Sequence, residues 1–201
     1  MKNNSNKAIL AGEVRTEPES YSCCGENFYS FYLAVKRESG AEDVIPVNIS
    51  QILVEKVTVG DKLCFNGQVR TYNKLVDGKN KLIIVYFAQE VKDYVEDRNE
   101  VDLTGFFCKK PIFRTTPLGR EICDVLLAVN RERGKSDYIP CIVWGRTAQH
   151  IGSLETGAKA VVQGRLQSRV YNKTVGDEVI QQTAYELSVN RIQEAIEEVI
   201  V

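Results

Sequence analysis

Tyr138 and Trp144 stand six residues apart in Asp137–Trp144. Alternation puts both on one face of an extended segment, roughly 20 Å from each other at the usual strand rise. A second alternating segment, 161–171, offers Arg165, Arg169 and Tyr171 on one face and is expected to form the neighbouring strand. Flat rings interleaved with guanidinium groups suit a single-stranded nucleic acid. Unpaired bases expose π surfaces worth on the order of 1–3 kcal/mol each when stacked, and the phosphates between them need cations. A duplex hides those faces. Each ring taken singly reads more readily as a core or subunit-interface residue than as a platform; it is the combination with cations that points to binding.

The charge distribution supports that combination. Net charge is only −1, but residues 103–173 hold twelve Lys/Arg against five Asp/Glu, a local net charge of +7. The matched stretch 10–81 holds nine against ten, a net charge of −1. Compensating acid sits near the end of each copy, beyond these stretches, and in Glu194, Glu197 and Glu198. Such segregation is what an anionic partner requires.

Catalysis finds little support. No G-x-x-x-x-G-K-[ST], G-x-G-x-x-G or G-x-S-x-G occurs, and the single histidine, His150, gives nucleophilic triads nothing to work with. No C-x-x-C occurs and His150 has no cysteine at ligand spacing, so neither metal nor cofactor is expected. The six cysteines read as small hydrophobes in a reducing compartment rather than a disulfide framework. With no apolar run of about 20 residues and no apolar signal core at the N-terminus, the expected location is cytoplasmic.

The elements that must position these residues occur twice. Asn6–Gly12, Pro18, Phe31–Arg37, Asp43–Ile49 and Gly67–Lys74 recur as Asn99–Gly105, Pro111, Leu126–Arg131, Asp137–Val143 and Gly164–Lys173, at separations of 93 to 99 residues. A repeat this long is a duplicated domain, since solenoid and propeller periods are shorter. Each copy reads as four to five strands with one short helix, expected at Arg146–Leu154 and Gln51–Val59, with hairpin turns at Asp77-Gly78 and Val175-Gly-Asp177. Three strands, a helix and two strands fit an all-β protein of two tandem OB-fold barrels, five-stranded Greek keys, although this pattern alone does not separate them from other small barrels. The expected domains are 1–97, 98–193 and a short acidic, apolar tail 194–201, with Glu96-Asp97-Arg98 as a connector short enough to keep the barrels close. Where the second copy has Tyr138 and Trp144, the first has Val44 and Ser50. Arg70 and Tyr72 still share an outward face there. The first barrel is therefore expected to bind more weakly or to be mainly architectural.

These residues resemble the bacterial single-stranded DNA-binding proteins. The resemblance is carried by Asn99-x-Val-x-Leu-x-Gly105, Lys110-Pro111 with Arg114-x-Thr-Pro-x-Gly119, Leu127–Arg131, Asp137–Gly145 and Val162-x-Gly-Arg-Leu-Gln-Ser-Arg-x-Tyr171, with a looser echo in the first copy. It implies OB-folds and places Tyr138, Trp144 and Tyr171 where the family stacks bases, with Arg165 and Arg169 beside the strand's path. Arg131, Arg133 and Lys135 fall in a loop expected to contact phosphate, and Lys110, Arg114 and Arg146 complete the expected cations. Four-barrel assembly in the family implies a homodimer here. Glu194–Val201 lacks the long linker and Asp-rich Pro-Phe ending through which the family recruits proteins, so recruitment through a tail is in doubt. The expected function is binding of single-stranded DNA with little sequence preference in replication, recombination or repair. The alternatives are an adaptor of a primosome-like assembly and an RNA-binding OB protein.

Overall fold

The computed structural model describes residues 5–23, 25–76, 78–175 and 178–195. The expected turns at Asp77 and at Gly176-Asp177, and the tail beyond Ala195, lie outside them. The first copy runs β1 (Asn6–Val14), β2 (Glu19–Cys23), β3 (Glu26–Lys36), β4 (Glu42–Ser50), α1 (Gln51–Val54), β5 (Lys62–Val76) and β6 (Lys79–Lys92). The second repeats the order as β7 (Arg98–Phe107), β8 (Ile112–Thr115), β9 (Glu121–Asn130), β10 (Ser136–Trp144), α2 (Arg146–Gly152), β11 (Lys159–Val175) and β12 (Glu178–Glu194).

Burial explains these elements. Ile139, Cys141 and Val143 of β10 point inward and are buried, as are their matches Ile45, Val47 and Ile49 of β4. They pack with Leu127, Leu166 and Leu187 in the second barrel and with Leu33, Phe31 and Phe65 in the first. In α2 the buried pair Ala148 and Ile151, three residues apart, holds one helix face on the core. Helix α1 stops at Val54, short of the expected Val59, and buries no residue. Val54, Val57, Thr58 and Val59 are β-branched and favour extended backbone. Two strands go beyond the sequence expectation: every residue of β2 and β8 is exposed, so neither leaves an alternating pattern.

Each barrel closes as an OB-fold. Strand β1 pairs with β3 and β5, β3 pairs with β4, and β5 with β6. The ring is completed by β4 running parallel to β6. In the second barrel β7 pairs with β9 and β11, and β10 runs parallel to β12. A parallel pair needs a crossover, which the short helix begins by carrying the chain across the barrel end. The neighbour of β10 is therefore β12, not β11 as expected from sequence order. Beside the bulge in β11, Gly164 leaves room for β12; a Cβ there would strike the Ser188 carbonyl.

The barrels are joined through their first strands. β1 and β7 pair antiparallel from Asn6↔Leu103 to Ala11↔Arg98, making one continuous sheet β6-β5-β1-β7-β11-β12. The connector is anchored too. Asp97 accepts hydrogen bonds from the Lys36 backbone N–H at 2.6 Å and from the Tyr94 hydroxyl at 2.5 Å. Cys64, Cys123 and Cys141 are buried, and burial raises all three thiols, Cys123 to about 11. Cys23, in contrast, is exposed on β2. Among the described residues no helix is long and apolar enough to cross a membrane.

Candidate nucleic-acid interface

The outward residues of β10 are Tyr138, Pro140, Ile142 and Trp144. Tyr138 is 46% and Trp144 37% exposed, while Pro140 is half-buried and Ile142 buried between them. The result is two open rings on an apolar floor. Both are positioned from outside the strand. The Tyr138 backbone N–H donates to Thr71 Oγ1 of the first barrel at 2.8 Å, and Trp144 Nε1 donates to Ser188 Oγ of β12 at 3.2 Å. That bond fixes the indole edge and leaves the ring on the surface. Gly145, at φ 63°, turns the chain directly into α2, which sets the exposed Arg146 two residues from Trp144.

Three expected cations serve a different purpose. Asp137 is fully buried and accepts from Arg131 Nε at 2.5 Å, from Arg70 Nη1 of the first barrel at 3.0 Å, and from the Thr71 backbone N–H at 2.6 Å. Asp43 mirrors it, accepting from Arg37 Nε at 2.7 Å, from Arg165 Nη1 of the second barrel at 2.7 Å, and from the Ser168 N–H at 3.0 Å. Arg70, Arg131 and Arg165 thus cross-link the barrels, and their charge is held by carboxylates rather than offered to phosphate. Burial lowers the Arg165 pKa against the opposing pull of Asp43, while the hydrogen bond to Asp43 raises that of Arg37. A sequence signal for this existed. Asp137 shares the inward parity of Ile139 and Cys141, as Asp43 does that of Ile45, and an acid at a core parity demands cations. The copies even exchange order: Gln68-Val-Arg70 against Arg165-Leu-Gln167, with each arginine bonded to the glutamine of its own strand.

The remaining cations are unequal. Lys110 pairs with Glu155 at 2.7 Å and Arg114 with Asp124 at 2.5 Å, both on the surface. Arg169 is exposed, with its guanidinium carbon 5.6 Å from the Tyr171 ring centre and its Nε 3.7 Å from Glu186. Arg120, Lys135, Arg146 and Lys173 make no ion pair among the described residues. Arg133 falls in a short 3₁₀ turn, but its side chain lies outside the described part.

Tyr171 is brought to first-barrel residues. With Tyr185 it lines a groove of about 530 Å³ whose other walls include Tyr32, Pro46, Asn48, Tyr72, Lys74 and Lys81 of the first barrel. Its hydroxyl donates to Gln182 Oε1 at 3.0 Å. Burial first, then Tyr32, pushes the Tyr185 hydroxyl up to about 12. The sequence match of Tyr72-Asn-Lys74 with Tyr171-Asn-Lys173 needs correction. Ser168 Oγ accepts the Val44 N–H as Thr71 Oγ1 accepts that of Tyr138, so Ser168 and Thr71 are equivalent and Lys74 stands in the place of Tyr171. Strand β11 is 17 residues long against 15 for β5, which accounts for the slip. Tyr32 escapes sequence reading because it merges into the apolar run Leu33-Ala-Val35.

Residues 98–194 match the family described as the Single-strand binding protein family. Among curated proteins, the chain is 42% identical over 89 residues to single-stranded DNA-binding protein 1 of Staphylococcus aureus (strain COL), covering 40% of this chain and 53% of that one. It is 39% identical over 89 residues to single-stranded DNA-binding protein A of Bacillus subtilis (strain 168), covering 40% and 51%. The chain thus spans about half the length of these relatives. Among solved structures, the wild-type single-stranded DNA binding protein from Thermus aquaticus superposes with a TM-score of 0.74 at 21% identity, over 96% of this chain and 93% of that one. At that identity the likeness is one of fold, and it extends across both barrels.

Proposed function

We propose, from the match of residues 98–194 to the Single-strand binding protein family, that the protein binds single-stranded DNA without catalysing a reaction. One observation carries the reading: Tyr138 and Trp144 lie open on one strand face, the indole held at its edge by Ser188. Bases stack on the rings, and Arg146 with neighbouring exposed cations meets the phosphates. Stacking tolerates every base, so little sequence preference follows. The expected setting is replication, recombination or repair in the cytoplasm, at the nucleoid. Fluorescence anisotropy with labelled dT oligomers and a matched duplex tests this. Single strands should bind far more tightly, with log affinity falling against log salt by about 0.7 for each phosphate contacted. Equal affinity for the duplex would sink the reading. Competition between dT and U oligomers decides between DNA and RNA.

A second reading, an adaptor whose barrels bind protein, is favoured by one fact: Arg70, Arg131 and Arg165 spend their charge inside the molecule. Absence of measurable dT affinity at about 50 mM salt would decide for it.

We also propose a homodimer, giving four barrels. The face of the six-stranded sheet that carries Lys7, Glu100, Asp102 and Gln163 is exposed and suits a second copy. Light scattering after gel filtration should return twice the chain mass; a monomer mass would refute it.

A further inference from the structure

We infer that the groove between the barrels is a second single-strand subsite, in which tyrosines from other strands replace the platforms that β4 lacks. It rests on the single-stranded DNA reading above. Three independent observations support it. The first is location. Pro46 and Asn48 on the groove wall belong to the outward face of β4, the face whose counterpart on β10 carries Tyr138, Pro140 and Trp144. At Val44 and Ser50 the platforms are missing, yet Tyr32 on β3 is 42% and Tyr72 on β5 is 48% exposed beside the gap. Tyr21 on β2, stacked on Phe28 at 5.9 Å, is exposed as well.

The second is charge. Lys74 and Lys81 are directly opposite each other on β5 and β6 and both line the groove, where Glu19 is the one acid among the described residues. Like charges facing across a strand pair repel, and an anion lying between them removes the repulsion. Rings and paired cations together select a polyanion with exposed aromatic faces, which a peptide does not offer.

The third is preorganisation. Asp43 binds Arg165 and the Ser168 N–H, and Ser168 Oγ takes the Val44 N–H, so β11 is fastened to β4. That fastening holds Tyr171 and Tyr185 of the second barrel against the first-barrel wall, and the groove exists before any strand enters. A strand leaving the Tyr138–Trp144 face therefore has a second place to stack on the same molecule.

The test compares the full-length chain with a Tyr32→Ser, Tyr72→Ser double variant, using dT oligomers of about 10 and about 35 nucleotides, a span set by the usual occupancy of one OB barrel. Anisotropy reads affinity, and emission of the single tryptophan, Trp144, reads the second barrel separately. The variant should bind the long strand about tenfold or more weakly, as the loss of stacking partners predicts. Undiminished long-strand affinity would overturn the subsite. A wild-type chain whose Trp144 emission ignores dT would overturn the underlying reading instead. Photocrosslinking of wild type to a 5-iododeoxyuridine-substituted strand does not depend on the variant's folding. Adducts on peptides containing Tyr32 or Tyr72 are expected, and adducts confined to residues 98–194 would refute the groove.

Discussion

Replacing Asp137 with alanine is expected to lower stability by about 3–5 kcal/mol, the cost of leaving buried cations without their counter-charge. Arg131 and Arg70 would face each other across the emptied site, and the Thr71 N–H would lose its acceptor. Because Arg70 and Thr71 belong to the first barrel and Asp137 to the second, the loss falls on the junction of the two. Total stabilities of about 5–15 kcal/mol make such a change a large fraction of the whole. Asp137→Asn keeps the shape and one acceptor, so it should lose less. Urea unfolding followed by circular dichroism measures both. A loss below about 1 kcal/mol for the alanine variant would show that the network does not secure the junction. Asp43, with Arg37 and Arg165 as its partners, should behave in the same way.

Trp144→Ala should leave the fold almost intact and weaken dT binding by about 1–3 kcal/mol, roughly 5- to 150-fold. The indole is over a third exposed and makes one side-chain hydrogen bond among the described residues, to Ser188, so the stability cost should stay below the roughly 3–5 kcal/mol of a fully buried Trp→Ala change. Affinity and stability are thereby separated, which no core substitution can achieve. Trp144→Phe, which keeps a ring, should retain most of the affinity. If alanine and phenylalanine variants both bind like wild type, base stacking does not occur at this position.

The fold was legible where burial imposes a period. Asp137–Trp144 alternates because one face of β10 enters a core, and its twin Asp43–Ser50 does the same, so duplication and barrel class both follow from sequence. Strands β2 and β8 were hidden because they bury nothing. Adjacency was misjudged at β11, since sequence order gives no hint of the parallel β10–β12 pairing created after α2. The open rings Tyr138 and Trp144 could be found from parity alone. Arginines were harder, because a guanidinium reaches several ångströms and can serve a carboxylate on another strand as well as a phosphate. Arg70, Arg131 and Arg165 took the first course, and only the inward parity of Asp43 and Asp137 carried that information. The groove lay furthest from view. Tyr32, Tyr72, Tyr171 and Tyr185 meet across two barrels, and no local spacing connects them.

Trp144 is the only tryptophan in the chain, so its emission reports on one side of one barrel without labelling. Titrating the wild-type protein with oligo-dT at low salt should quench that emission to saturation, in step with binding measured by anisotropy. Binding that leaves the indole signal unchanged would contradict the stacking surface on β10.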